Sequence, residues 1–428
     1  MSVWRVHGEQ KLEGRIAVQG AKNAVLPELA ACLQGGGVTR LENCPALLDV
    51  DASMEILRFL GCGVMQNGRE ILVDSTGMNR CDIPHELMLK MRSSVMYMGA
   101  ILARSGEVRL STPGGCELGS RPIDLHLKAL HDLGAEVEQH GGEVVCRAER
   151  LHGAHIHLDF PSVGATENVM LAACAAEGTT VLTNAAREPE IIDLQLLLNA
   201  RGANIHGAGT PQITIDGFRA REFTSHRVMP DRIAAATYLC AAAAAGGDVL
   251  LERVCPGHLE TVTAALKEMG CAVVAGSDTL RLRSAAALRA CRPVITKPYP
   301  GFPTDSQALL MAASLKAEGT TVFVENIFEN RYRHVPELRR LGADIRTEGR
   351  VAMVSGVERL CGADVEASDL RGGAALVIAG LAAQGETRVR DSGHIGRGYD
   401  NLAETLCALG ADVRREEDGS GQMIPKEG

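Results

Sequence analysis

The chain has 428 residues, of which 46% are hydrophobic but only 3% aromatic, and it carries a formal charge of −9. That length suits roughly two to four domains whose cores must be built from Ala, Val, Leu and Ile. An acidic chain with one Trp, five Tyr and seven Phe lacks the basic face and stacking rings of a nucleic-acid binder, so any anionic ligand needs locally gathered Arg and Lys. The opening Met1-Ser-Val-Trp-Arg5 lacks the apolar core of a signal peptide. The longest largely apolar run, around Ala234–Ala245, is too short and Ala-rich for a bilayer span. The expectation is a soluble, cytoplasmic protein. Thirteen Cys, most of them single in apolar stretches as at Cys32, Cys174, Cys240 and Cys407, read as buried small hydrophobes in a reducing compartment. Nothing has the spacing of a metal site, and neither a metal nor a cofactor is expected.

Along the chain, an opening strand leads through Gln19-Gly-Ala-Lys-Asn23 into the apolar segment Ala24–Leu33. A turn into β-prone sequence follows at Gly37-Val-Thr39 and returns at Gly106, Gly178, Gly247, Gly319 and Gly385. A second mark, Leu-Gly or Met-Gly followed by Ala or Cys, stands at Leu60, Leu133, Met269, Leu341 and Leu409, with Arg201-Gly202-Ala203 filling the one gap. The spacing of about 70 residues is longer than a usual solenoid period of roughly 20–50. Each unit reads helix, turn, strand, loop, amphipathic helix, Leu-Gly turn, strand, strand. Ile123, Leu127 and Leu130 show the helical spacing; Ile213-Thr-Ile-Asp216 and Leu280-Arg-Leu-Arg283 show the strand alternation. The first helix of each unit is apolar all round and is hidden only if several units pack their helices together. A break at Ser225–Pro230 suggests two groups of three. Arg414–Gly428 is charged and contains Gly and Ser, and is expected to fray.

Four constellations could carry chemistry. Gln19–Asn23 ends at a helix start, where N–H groups, the helix dipole and Lys22 would favour an anion; a plain turn with a solvated Lys is an equal reading. In Ser111-Thr-Pro-Gly-Gly-Cys-Glu-Leu-Gly-Ser-Arg-Pro-Ile-Asp124, Cys116 sits in a polar, Gly-rich segment near Arg121. Positive charge there would lower its pKa from about 8.5, leaving nucleophile and proton donor both open. Asp305, in Phe302-Pro-Thr-Asp305, reads first as a helix N-cap, with deprotonation of a substrate hydroxyl as the alternative. Pro230-Asp231-Arg232 and Ser368-Asp369-Leu-Arg371 favour capping as the default of the repeat. Arg92, Arg121, Arg331, Arg371 and Arg397 lie at unit starts and loops, where several could converge on phosphate or carboxylate.

Gly20-Ala-Lys-Asn-Ala24, Pro113–His126, Ser162-Val-Gly-Ala-Thr166, Asn184-Ala-Ala-Arg-Glu-Pro-Glu190, Pro303-Thr-Asp305 and Glu329-Asn-Arg331 together resemble the enolpyruvyl transferase family, and within it the UDP-N-acetylglucosamine 1-carboxyvinyltransferases. The likeness runs from about residue 3 to about residue 414. It implies an α/β fold of two domains forming an inside-out α/β barrel, with six βαβαββ-type repeats, three per domain, and the active site in the interdomain cleft. One domain would hold residues 22–229. The other would hold 1–21 and 230–428, with the tail disordered from about residue 415.

The resemblance also implies roles. Lys22, Arg121 and Arg397, with Arg92 assisting, match residues that hold the phosphate and carboxylate of phosphoenolpyruvate, and Arg331 and Arg371 join the substrate-binding set. Asn23 and Asp305 match residues contacting the sugar, with Asp305 beside the attacking 3-hydroxyl. Arg121, Pro122, Ile123, Asp124 and Leu125, then Ser162, Val163 and Gly164, and Ile327 match the nucleotide-sugar pocket. Cys116 matches the proton donor and the thiol that fosfomycin alkylates. The catalytic set would be Cys116, Asp305, Lys22 and Arg397, and the partners the small-molecule substrates phosphoenolpyruvate and UDP-N-acetylglucosamine, with no nucleic acid and no membrane. Two positions depart from the pattern: Gly396 stands where family members commonly carry Asp, and Phe160 where some carry Lys.

Overall fold

The structure is a computed structural model describing residues 1–111, 123–217 and 221–417, apart from the side chain of Arg92. The chain divides into two compact units. One is Gln19–Asp231 with Pro298–Pro300; the other joins Met1–Val18, Arg232–Lys297 and the chain from Gly301 onward. The first unit therefore begins at Gln19 and ends at Asp231 rather than at 22 and 229, because the outgoing and returning chains are hydrogen-bonded side by side. Gly20 bridges Pro230, Ala21 N–H donates to Met229 O at 2.7 Å, and Asp231 N–H donates to Gln19 O at 2.9 Å.

The described strands form six four-stranded sheets, three in each unit, all with the same plan. An end strand runs parallel to its neighbour, which pairs antiparallel with a third strand, which pairs antiparallel with a fourth. The strand order Phe223–Arg227, Val38–Glu42, Glu70–Asp74, Gly63–Asn67 is one example. The strand that ends the first unit thus completes that unit's opening sheet. In the other unit, Leu12–Ala17 takes the equivalent place beside Gly247–Glu252. Ser2–His7 lies between Glu386–Asp391 and Asp412–Glu417, antiparallel to both. This last pairing places Arg414–Glu417 in a strand that ends opposite Ser2, where fraying was expected; the rest of the expected tail, residues 418–428, lies outside the described residues. The charges expected to loosen the strand hold it: Arg5 pairs with Glu416 at 2.9 Å and Arg415 lies 5.7 Å above the Trp4 ring.

The cores are made by the apolar helices. Arg232–Ala245, Thr304–Ala313 and Leu370–Ala382 pack on one another in one unit, and nearly all their residues are buried. Lys22–Ala31, Tyr97–Ser105 and Val163–Ala173 are their counterparts in the other. Small residues allow the close approach: a Cβ at Gly380 would stand 3.2 Å from that of Val6, and one at Gly99 would strike Asn168 O. No described helix is long and apolar enough to cross a membrane. Nearly all cysteines were expected to be buried, but among the described residues only seven are; Cys81, Cys255 and Cys291 are half-buried, and Cys361 and Cys407 are exposed, Cys407 on the short helix Leu402–Ala408.

The Leu-Gly mark has a conformational cause. Gly61, Gly134, Gly202, Gly270, Gly342 and Gly410 all follow a helix with φ between 94° and 113°, the left-handed ending that glycine adopts without steric cost. The residue before each one is fully buried. At the third repeat that residue is Arg201, whose guanidinium donates to Gln34 O, to Thr39 Oγ1, and to Gly36 O at 3.0 Å. It supplies donors just past the end of the Lys22–Ala31 helix, where carbonyls lack helical partners. Arg201→Ala should therefore destabilise this unit by about 2–5 kcal/mol through a cavity and orphaned carbonyls. Urea unfolding followed by circular dichroism should show the transition of this unit moving to lower denaturant.

Candidate functional site

In the Gln19–Asp231 unit, Lys22 is the first residue of its helix and has no capping side chain from Ala21. Its N–H instead donates to Asp231 Oδ2 at 3.3 Å, a carboxylate placed at the positive end of the helix. Its ammonium meets Asp49 Oδ2 at 2.8 Å, with the two side chains 10% and 1% exposed. The reading of a plain turn with a solvated Lys is thereby set aside: Lys22 is a nearly buried cation whose partner leaves little freedom of position. Asn23 beside it is half-buried.

Ser162 caps the helix Val163–Ala173, its Oγ accepting from Ala165 N–H at 3.3 Å. Val163 and Gly164 follow, half-buried. A Cβ at Gly164 would lie 3.1 Å from His126 Cε1, so the Ser162–Gly164 turn sits against the helix that starts at Asp124. Ile123 is the N-cap position of that helix; Ile123 and Leu125 are half-buried and Asp124 is exposed. Asn168 secures the junction, donating to Val95 O at 3.0 Å, contacting His126 Nδ1 at 2.7 Å, and accepting from Gly99 N–H at 2.6 Å. Burial lowers the His126 pKa to about 4, against the opposing pull of Asp124. The ring is therefore neutral near neutrality and accepts the Asn168 amide proton at Nδ1. Arg92 begins the short helix Arg92–Met96. Cys116, Arg121 and Pro122 lie outside the described residues.

In the other unit, Asp305 is the second residue of the helix Thr304–Ala313, whose N-cap position is Pro303. It does not cap the helix. Its carboxylate is instead held by Arg331 Nη2 at 3.2 Å and Arg371 Nη2 at 3.4 Å, with both arginines 3% exposed and Asp305 29% exposed. Arg331 also donates to Thr304 O at 3.1 Å, and Arg371 lies 5.4 Å above the Tyr399 ring. Asp369, by contrast, does cap: it accepts from the N–H groups of Arg371 and Gly372 at 3.0 Å. Burial alone would raise its pKa, but Arg331, those N–H groups and His334 together hold it below the usual range. The capping expectation thus succeeds at Asp369 and fails at Asp305, where two guanidiniums compete for the carboxylate.

Glu325 is a buried organiser that sequence reasoning missed. One carboxylate oxygen accepts from Ile327 N–H at 2.8 Å and Phe328 N–H at 3.0 Å. The other accepts from Thr304 Oγ1 at 2.9 Å. It therefore ties the Ile327 loop to the helix that carries Asp305. Arg397 ends the short helix Ile395–Arg397, placed by Asp391, which accepts from the N–H groups of Gly393, His394 and Ile395 at 3.1, 2.7 and 3.3 Å. That backbone cradle organises the loop although Gly396 supplies no carboxylate of its own. Asp49, Asn168 and Asp391 were also missed: Asp49 and Asn168 act across the fold, whereas Asp391 accepts from N–H groups two to four residues further on.

A model of the EPSP synthase (3-phosphoshikimate 1-carboxyvinyltransferase) family matches residues 6–406. The chain belongs to this family of enolpyruvyl transferases. It is 48% identical over 415 residues to UDP-N-acetylglucosamine 1-carboxyvinyltransferase 2 of Caldanaerobacter subterraneus subsp. tengcongensis, covering 97% of this chain and 100% of that one. It is 48% identical to UDP-N-acetylglucosamine 1-carboxyvinyltransferase 1 of Symbiobacterium thermophilum, over 96% and 94% of the two chains. Among solved structures, the enolpyruvyl transferase NikO from Streptomyces tendae aligns with a TM-score of 0.86 at 27% identity, covering 97% of this chain and 98% of that one. EPSP synthase from Acinetobacter baumannii aligns at 0.73 and 20% identity over 97% and 100%, a likeness of fold.

Each unit of this enolpyruvyl transferase thus carries a histidine held neutral, His126 half-buried and His334 buried. Burial lowers His334 to about 4 as it does His126, with Arg331 acting in the same direction and Asp369 against it. In the unfolded chain both rings take up a proton near pH 6.5. A lowered histidine pKa makes stability fall as pH drops from about 6.5 toward 4. In a pH series of histidine ring NMR spectra, both rings should stay neutral down to about pH 5.

Proposed function

We infer that this enolpyruvyl transferase moves the enolpyruvyl group of phosphoenolpyruvate onto the 3-hydroxyl of UDP-N-acetylglucosamine and releases phosphate, the first committed step of peptidoglycan precursor synthesis. The observation that carries the acceptor is the near-full-length identity of 48% to enzymes named for that nucleotide sugar. The reaction adds a proton to C3 of phosphoenolpyruvate and the sugar oxygen to C2, giving a tetrahedral ketal. Loss of a proton from C3 and of phosphate from C2 then restores the double bond.

The charges of the chain suit these steps. Lys22, Arg121 and Arg397, with Arg92, hold the phosphate and carboxylate of phosphoenolpyruvate, and fixed cations of this kind stabilise the anionic intermediate without reorganising. The buried Lys22–Asp49 pair supports that role by holding the ammonium in place. Asn23 and Asp305 contact the sugar. Asp305 keeps a partly exposed carboxylate fixed between Arg331 and Arg371, where it accepts the proton of the 3-hydroxyl. Ile123, Asp124 and Leu125, Ser162 to Gly164, and Ile327, with Arg121 and Pro122, line the nucleotide-sugar pocket. Cys116 protonates C3; to donate, its thiol must lie only modestly below its ordinary pKa, since the thiolate has no proton to give. The enzyme works in the cytoplasm, on small-molecule substrates.

The name of the matching family gives a second reading, with shikimate 3-phosphate as acceptor. Phosphate release from phosphoenolpyruvate separates the two: release is expected with UDP-N-acetylglucosamine and none with shikimate 3-phosphate. The reverse pattern would overturn the proposed acceptor. Asp305→Ala should lower kcat by about 10²–10⁴-fold in the same assay, with the fold checked by circular dichroism. Cys116→Ser should cripple turnover while the protein stays folded; full activity in that variant would remove Cys116 from the proton transfer.

A further inference from the structure

Three side chains without a role in the transfer reaction meet inside the Gln19–Asp231 unit. Glu28 lies on the helix Lys22–Ala31, Asp193 on the helix Pro189–Ala200, and His226 on the closing strand Phe223–Arg227. His226 Nε2 is 3.3 Å from Glu28 Oε1 and 3.2 Å from Asp193 Oδ1. A ring nitrogen carries one proton pointing in one direction, so it cannot satisfy two carboxylates. Among the described residues, no hydrogen-bond donor is aligned on either carboxylate oxygen of Glu28, although the side chain is wholly buried. Buried carboxylates are ordinarily paired, hydrogen-bonded or bound to a metal ion.

We propose that Glu28, Asp193 and His226 are the protein ligands of a buried divalent cation of the zinc class. An ion bound tetrahedrally at about 2.0–2.2 Å from nitrogen and oxygen ligands holds those ligands roughly 3.3–3.5 Å apart, close to the two separations here. The three ligand atoms all lie within 4.8 Å of one another. Two carboxylates and a neutral imidazole balance a double positive charge, and an imidazole among the ligands favours zinc-like ions over magnesium or calcium. Asp193 Oδ2 accepts from Met229 N–H at 2.9 Å, an outer contact of the kind that orients a metal-binding carboxylate.

Burial pushes Glu28 well above its usual range, with Asp193 adding to the shift and His226 opposing it. Burial would lower His226, but Asp193 and Glu28 outweigh it and raise the ring to about 10. His226 lies on an end strand of its sheet with a side chain 11% exposed, which gives an ion an approach. The bound ion would join the closing strand to a central helix and an outer one. Its effect is on the stability of the unit and not on the chemistry of transfer.

The test uses full-length protein, made without a metal-affinity tag, stripped with chelator and titrated with zinc by calorimetry. Wild type should bind one zinc per chain and gain thermal stability. Glu28→Gln and His226→Asn should each lose more than about tenfold in zinc affinity and lose the thermal shift. Glu28→Leu removes the carboxylate without adding a buried polar group, and carries the test should Glu28→Gln fail to fold. Phosphate release should be equal in stripped and zinc-loaded wild type, so the metal site and the acceptor assignment fail independently. Absence of zinc binding in folded wild type would overturn the proposal. So would binding undiminished in the folded variants, which would assign the zinc to thiols elsewhere.

Discussion

Everything in this protein follows from having to cover helices that are apolar on every side. Arg232–Ala245 and Leu370–Ala382 bury nearly all their residues, and neither has a face fit for water. Each unit answers by packing three such helices together and enclosing them with three sheets of one plan. Alanine and glycine dominate because backbones that lie this close leave no room for longer side chains. The scarcity of aromatic residues, only 3% of the chain, belongs to the same constraint.

Burying the helix bodies leaves their first turns as the natural place for polar chemistry. Lys22 opens one buried helix and Ser162 caps another. Asp305 and Arg371 lie in the first turns of two more. There the N–H groups have no helical partners and the dipole is positive, so anions are welcome. Cations placed at the same ends are disfavoured unless a carboxylate accompanies them. Asp49 accompanies Lys22, and Asp305 serves Arg331 and Arg371. The fold thus concentrates positive charge in a chain whose total is −9.

The repeat was legible because its marks are local. A glycine forced to positive φ after a helix, and a buried residue before it, recur at fixed spacing whatever else changes. The same reasoning mistook Asp305 for a cap, since capping is a local preference whereas its two arginine partners come from positions 331 and 371. Asp49, Glu325 and Asn168 were invisible for the same reason: each joins elements far apart in sequence, and nothing in its neighbours announces the partner. Arg414–Glu417 was expected to fray because its run of charges looks unstructured until Ser2–His7 is seen to lie alongside. Composition placed too many cysteines in the interior, because it could not tell which face of its element a residue such as Cys407 would occupy.

The strand Ser2–His7 has one further consequence, for the order of events during synthesis. Gln19–Asp231 contains all the strands of its own three sheets, so that unit can finish its pairing while the ribosome is still translating. The other unit has its first strand made at the very beginning and wedged between two of the last. Its final sheet must wait for Asp412–Glu417 to emerge. Until then Ser2–His7, with Val3, Trp4 and Val6, lacks its last neighbour and presents an open edge. Translation pauses and chaperones would therefore matter most to the discontinuous unit, and a chain cut short before residue 412 would leave a finished half joined to an unfinished one.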